Sequence, residues 1–307
     1  MKEFAIVQRT KLAVARTACA TFPVVISLLL FRRPLANLAT LALSDDRYTH
    51  TALVPALSAL LIYARRKSIF ERSRCSIAVG IPLFAAAMLL YFLHRPLSGP
   101  NPADRLFLTI LAIVSVWIAA FVLCYGMNSF RAAAFPLVLL VMMAPLPTAA
   151  VDTIVLILQR ASSEMSDLLF RIVGVPILRT GFTISLPGAD IDIAPQCSGI
   201  RSSVSLVLAS LLAGQLLLKS TWKRICLSAL AIPIVIFKNA VRIVTISCLG
   251  IYVDPSFFRG ELHRNSGIPF SLLAIAMLGG LLYLLKDRLP ERQIGPAQPV
   301  NPFTSLT

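Results

Sequence analysis

Charge is what this chain has least of: only 14% of its 307 residues are Asp, Glu, Lys or Arg, and the acids are scarcest, 14 against 29 bases. An ordinary soluble domain carries roughly a quarter charged residues, so that class is excluded. Metal-ligand patterns are missing too. The six cysteines form no Cys-x-x-Cys pair and the three histidines no His-Glu-x-x-His, so no metal or cofactor is expected. A small-residue cleavage context is also lacking after the first apolar run, because Arg32-Arg33-Pro34 follows Phe31 at once. An uncleaved first span is expected there in place of a signal peptide.

What fills the chain is apolar: 57% of residues are hydrophobic and the mean hydropathy is +0.80. The runs are too long and unbroken for the alternating strands of a membrane barrel, so helices are the spanning elements. The net charge of +15 could suggest nucleic acid. It fits basic cytoplasmic loops beside anionic lipid better, because Lys and Arg cluster between apolar runs, and no nucleic-acid partner is expected.

Runs at about 14–31, 51–64, 75–93, 106–125, 132–148, 199–218, 225–251 and 268–285 predict eight transmembrane helices. With both termini cytoplasmic, the basic segments 65–74, 219–224 and 286–292 all face inward. The apolar stretch 34–43 is too short to cross and is expected at the interface. Pro136, Pro145 and Pro147 predict a break in the fifth span. From Asp152 to Thr180, Leu156, Leu168, Leu169, Ile172 and Val173 mix with Gln159, Ser162, Ser163, Glu164 and Asp167, the pattern of an amphipathic helix on the outer surface. The expected fold is an all-α polytopic membrane protein, one domain over 1–292, with a disordered cytoplasmic tail at 293–307.

Between that amphipathic stretch and the sixth span lies a different pattern. Ile184 and Leu186 alternate with polar residues, Pro187-Gly188 supplies a turn, and Ile191 and Ile193 alternate again, predicting an extracytoplasmic β-hairpin. Pro195-Gln196-Cys197-Ser198-Gly199 follows and a long apolar helix begins. Cys197 therefore stands where a water-facing hairpin meets a helix N-terminus, which favours a reactive thiol. The alternatives are a buried structural cysteine and a disulfide with Cys248, the other cysteine near the outer face.

Arg242 lies ten residues before the expected outer end of the seventh span, roughly 15 Å along a helix. A cation at such depth costs about 2.5–3.5 kcal/mol on insertion scales and calls for a partner or a water-filled pocket. Asn239, three residues earlier, shares its helical face, whereas Lys238 is expected to point off it. His263, in the last outer loop, has the side chain suited to proton transfer near neutral pH. His50, beside Asp45 and Asp46, is a weaker candidate for the same outer surface. Cysteine, histidine and arginine together make thiolate acyl transfer possible.

These motifs resemble the exosortase/archaeosortase family of membrane-embedded cysteine transpeptidases. Asp45-Asp46-Arg47-Tyr48-Thr49-His50 is similar to its N-terminal segment and Ala194-Pro195-Gln196-Cys197-Ser198-Gly199 to its nucleophile motif. Asn239-Ala240-Val241-Arg242 is similar to its arginine motif, and His263 with Gly267 to its histidine motif. Thr49 and Thr51 stand where Ser and Gly are usual, and Ser266 replaces a common glycine. The resemblance implies that Cys197 attacks a PEP-CTERM-like sorting signal of exported proteins, that Arg242 stabilises the thiolate or oxyanion, and that His263 protonates the leaving amine. It further implies substrate contacts from Arg201, Asn239 and His50, a bacterial inner-membrane location with the site on the extracytoplasmic face, and partners that are exported proteins carrying a C-terminal signal and span. A transporter, or a non-catalytic component of exopolysaccharide export, is the competing reading, since intramembrane Arg and Asn can mark a substrate pathway. No internal repeat of the kind transporters carry is evident.

Overall fold

Proline, glycine and short polar breaks decide where the apolar runs become helices and where they bend. The computed structural model describes residues 18, 21–71, 73–97, 101–186, 189–193, 199–258 and 267–286. Helix α1 (Thr21–Leu30) meets α2 (Arg32–Ser44) at 77°. A 3₁₀ turn, Asp46–Tyr48, follows; it is opened by Asp45, whose carboxylate accepts from the Arg47 backbone N–H at 2.9 Å. Helices α3 (His50–Ala64) and α4 (Arg66–Phe70) come next.

Helix α5 (Ile77–Leu97) packs along α6 (Pro102–Ala132). The start of α6 is set by Asn101, whose side chain accepts from Ala103, with Pro102 in the first turn. Near its other end Gly126 has a φ of +81 and interrupts the helix. The carbonyls this exposes are taken by the segment before α5: Arg74 N–H donates to Tyr125 at 3.2 Å, Ser76 N–H to Leu123 at 3.3 Å, and the Cys75 thiol to Cys124 at 3.3 Å. Such repair is what an interrupted helix in an apolar medium requires.

Helix α7 (Ala134–Leu139) tightens into a 3₁₀ turn at Leu140–Met143 and stops before Pro145 and Pro147, the break expected from the prolines. Helix α8 (Thr148–Val173) leaves at 96°. The expected fifth span and the amphipathic helix are thus two arms of one bent pair. Moreover, α8 is inside out by soluble standards. Gln159, Ser162, Ser163 and Ser166 are buried, while Leu156, Ile157, Ile172 and Val173 are exposed. It packs on α10 through the polar side and turns the apolar side outward.

Helix α8 also ends sooner than expected. Gly174 caps it in the left-handed region, and Leu178–Thr180, assigned above to the helix, is strand β1. Strands β2 (Thr183–Leu186) and β3 (Ala189–Asp192) form the expected hairpin, and β1 pairs antiparallel with β2 to give a three-stranded sheet ordered β1-β2-β3. In register, Leu178 faces Ser185 and Ile184 faces Ile191. Three residues are too few to display a two-residue period, which is why β1 was not visible in the sequence.

Helices α9 (Ile200–Leu217), α10 (Thr221–Tyr252) and α11 (Gly267–Leu285) complete the order, with a 3₁₀ turn at Pro255–Phe258. Among the described residues four helices, α6, α9, α10 and α11, are long and apolar enough to cross a membrane, or up to six spans if each bent pair counts as one; α3 and the 77–93 part of α5 are shorter apolar helices. Two packing clusters position the site. Phe170, Ile184, Leu186, Ile193 and Val244 seat the sheet on the ends of α8 and α10. Tyr48, Val151, Leu158 and Ile200 join the 3₁₀ turn to α8 and to the start of α9.

Candidate active site

Above that second cluster a cavity of about 1060 Å³ opens between the 3₁₀ turn at Asp46–Tyr48, the start of α8, the start of α9, the middle of α10 and the start of α11. Arg201 and Arg242, singled out separately from the sequence, both line it, joined by Arg47 and Lys238. The lining acids are Asp45 and Asp152. Asp45 is engaged by Arg47, whose Nη2 lies 2.6 Å from a carboxylate oxygen, and this guanidinium holds the Asp45 carboxyl below the usual carboxylate range. The cavity is therefore cationic at its head.

Cys197 and His263 lie outside the described residues. Their sequence neighbours do not: Gly199, two residues after Cys197, and Gly267, four after His263, both line the cavity beside Arg242. The residues flanking 194–198 are held from below. On the entry side, the Ile193 carbonyl accepts a hydrogen bond from the buried Gln159 side chain of α8, and Ile193 N–H donates to Phe182 at 3.0 Å. On the exit side Gly199 adopts a φ of +76 and lies directly over Asn239. Its carbonyl accepts from the Ser202 and Ser203 hydroxyls, each at 2.9 Å.

Asn239 is placed differently from Arg242. It is fully buried, donates to Ser162 Oγ at 3.1 Å, and sits between α8 and α10 instead of lining the cavity. The α10 residue that shares the cavity with Arg242 is Lys238, expected above to point away. Four residues advance a helix to about 40° from the starting direction and three to about 60° on the opposite side, so Lys238 and Asn239 flank Arg242 and only tertiary packing selects between them. Lys238 is 3% exposed and its Nζ donates to Ser202 Oγ at 2.8 Å. Gln159 and Lys238 are thus the residues that sequence reasoning missed or misplaced. The available signal was the i, i+4 spacing of Lys238 and Arg242.

His50 begins α3 half-buried, hydrogen-bonded to the Arg47 backbone, and is not among the cavity-lining residues. Cys248 is a free thiol packed against the sheet cluster. Among the described residues no group of His, Cys, Asp and Glu could hold a metal ion.

Fold and site together define a polytopic membrane protein that gathers arginines and a lysine where a 3₁₀ turn and the start of α8 meet three apolar helices, α9, α10 and α11. The chain matches the family model described as Transmembrane exosortase (Exosortase_EpsH) over residues 40–280, and it belongs to that family. The family acts in general by transpeptidation on exported substrates. No curated protein and no solved structure matches the chain.

Proposed function

We propose that this chain is a membrane cysteine transpeptidase that cleaves a PEP-CTERM-like C-terminal sorting signal from exported proteins and transfers them to a surface acceptor. The observation that carries the reading is the cavity in which Arg242 meets Gly199 and Gly267, the neighbours of the Cys197 and His263 segments. In the proposed reaction the Cys197 thiolate adds to the carbonyl carbon of the scissile peptide bond, and the Arg242 guanidinium stabilises the oxyanion that forms. Collapse of the tetrahedral intermediate breaks the C–N bond. His263 donates its proton to the departing amine, leaving an acyl thioester and neutral imidazole. An acceptor amine then attacks the thioester, His263 takes up its proton, and the thiolate is released.

Arg201, which lines the cavity, is assigned to the acidic residue of the signal. Asn239 acts in this scheme by positioning, since it supports Gly199 from beneath. The site is assigned to the extracytoplasmic face of the bacterial inner membrane, the side on which an exported substrate presents its signal.

The test is processing of a tagged exported substrate in membranes containing Cys197→Ala. The variant is expected to accumulate normally in the membrane and to abolish cleavage. Normal maturation of the substrate in that variant refutes the cysteine mechanism.

A further inference from the structure

The cavity carries a feature that peptide cleavage does not require. Lys238 is almost wholly buried, its hydrogen-bond partner is the neutral Ser202 hydroxyl, and none of the ion pairs among the described residues involves it. Arg242 stands one helical turn further along α10 on the same cavity wall. Two cations in register inside an apolar protein repel, and a buried charge is tolerated where a counter-charge reaches it. Arg47 and Arg201 line the same cavity, and of its two acids Asp45 is bonded to Arg47 while Asp152 lies close enough to act on Arg47 as well.

The α9 and α11 lining has another chemistry. It includes Ala209 of α9 and Ile268, Leu272 and Ile275 of α11. Those three α11 residues are 70%, 61% and 57% exposed, and only 11% of the apolar window of α11 is buried. This wall is continuous with the face that α11 turns toward lipid. A cationic head and an apolar channel open to the bilayer, in one cavity of about 1060 Å³, match the two halves of an anionic amphiphile. A peptide laid along that channel would leave its backbone N–H and C=O groups facing Ile268, Leu272 and Ile275 without partners.

We propose that the cavity is a binding site for an anionic lipid, with the phosphate ester against Lys238 and its acyl chain running out between α9 and α11. The phosphate oxygens accept from the ammonium of Lys238 and from the guanidinium groups at the cavity head. The site shares Arg201 and Arg242 with the proposed transpeptidation but uses neither Cys197 nor His263, so lipid binding and the cysteine chemistry are read with different variants.

The experiment is native mass spectrometry of the full chain exchanged from vesicles of phosphatidylcholine with and without phosphatidylglycerol. The protein is expected to retain phosphatidylglycerol in preference to phosphatidylcholine. Lys238→Gln should reduce that preference about tenfold, the usual consequence of losing one hydrogen bond to a charged group. Ala209→Phe changes an exposed position, so it leaves the core intact while filling the apolar channel, and it should lower retention of phosphatidylglycerol. Equal retention of the two lipids overturns the proposal, as does unchanged phosphatidylglycerol retention in both variants. Inorganic phosphate competing as strongly as the lipid would reduce the site to a free-anion site and likewise overturn it. So would Lys238-dependent binding of an acidic peptide with no phosphatidylglycerol retained, which would assign the site to peptide. Cys197→Ala should retain the lipid unchanged, so failure of the transpeptidase reading and failure of this one are read separately.

Discussion

Gly199 links the nucleophile motif to the fold through its backbone, and replacing it with alanine isolates that link. At a φ of +76 and ψ of 18, an alanine remains in the left-handed region at a cost of about 1–2 kcal/mol or else rotates out of it. Packing adds little, because an added Cβ would meet Asn239 and Ser202 atoms at 3.5 Å, an ordinary contact. Rotation, however, would carry away the carbonyl that accepts from both Ser202 and Ser203 and redirect the chain toward Cys197. Gly126→Ala is the control. It shares a positive φ, but its Cβ would land on the Arg74 carbonyl oxygen, so strain and overpacking together should cost about 2–5 kcal/mol. Thermal unfolding in detergent and substrate processing in reconstituted vesicles measure the two effects. Gly199→Ala should lose about 1–2 kcal/mol of stability, yet slow processing per folded molecule by roughly tenfold to a hundredfold, as expected when a reacting group is displaced by about 1 Å. Gly126→Ala should unfold more readily and keep its rate per folded molecule. Gly199→Ala with an undiminished rate per folded molecule, or with a stability loss equal to that of Gly126→Ala, would refute the assignment of Gly199 as a conformational device.

Other consequences are simpler to state. The Asp45 carboxyl is held low by Arg47, so the stabilisation from that pair is complete above the ordinary carboxylate pKa of about 3.9 and is lost only as pH falls through the lower folded-state value. Asp45→Asn should therefore leave the shape of the processing pH profile unchanged from about pH 5 to 9; a new step inside that window counts against the pairing. Arg242→Lys retains charge but not the planar fork of donors, and processing should fall at least tenfold with protein levels maintained. Retention of the wild-type rate would reduce the role of Arg242 to charge alone. Asn239→Ala and Ser162→Ala should show a coupling of about 0.5–1.5 kcal/mol in a double-mutant unfolding cycle, given their 3.1 Å hydrogen bond; additivity would remove the α8–α10 contact from the account.

Long features were legible in the sequence and short ones were not. The limits of α9, α10 and α11 lie within a few residues of the runs at 199–218, 225–251 and 268–285, because eighteen or more apolar residues leave little ambiguity. The hairpin β2–β3 was legible from Ile184, Leu186 and Ile191, whose alternation spans a turn. Strand β1 was not, whereas the fourth run, set at about 106–125, ends one residue before the break at Gly126. At the site, Arg242 was found as a charge in the wrong medium and Arg201 through the resemblance of the motif that contains it. Lys238 was misplaced because a helical wheel gives two faces next to Arg242 and not the partner that each will meet. That choice was made by α8, whose Ser162 takes Asn239 and leaves Lys238 to the cavity.

The inverted amphipathicity of α8 gives this choice its physical basis. Lipid is as apolar as leucine, so burying apolar side chains contributes little to helix association inside a bilayer, and packing and interhelical hydrogen bonds carry more of it. Helix α8 therefore turns Leu156, Ile157, Leu168 and Ile172 outward and, beside Val151, Leu158 and Phe170, brings Gln159, Ser162, Ser163 and Ser166 inward against α10 and the sheet. Gln159 then holds Ile193 before the 194–198 segment, and Ser162 holds Asn239 under Gly199 after it. The same polar seam that joins α8 to α10 thus fixes both flanks of the segment that contains Cys197. A helix designed for a water-soluble bundle would bury its leucines at those positions and leave both flanks without a hydrogen-bonding partner. On this reasoning the amphipathic stretch after Asp152 serves the site chiefly as its floor, and its polar residues are where substitutions distant from Arg242 should be felt most strongly.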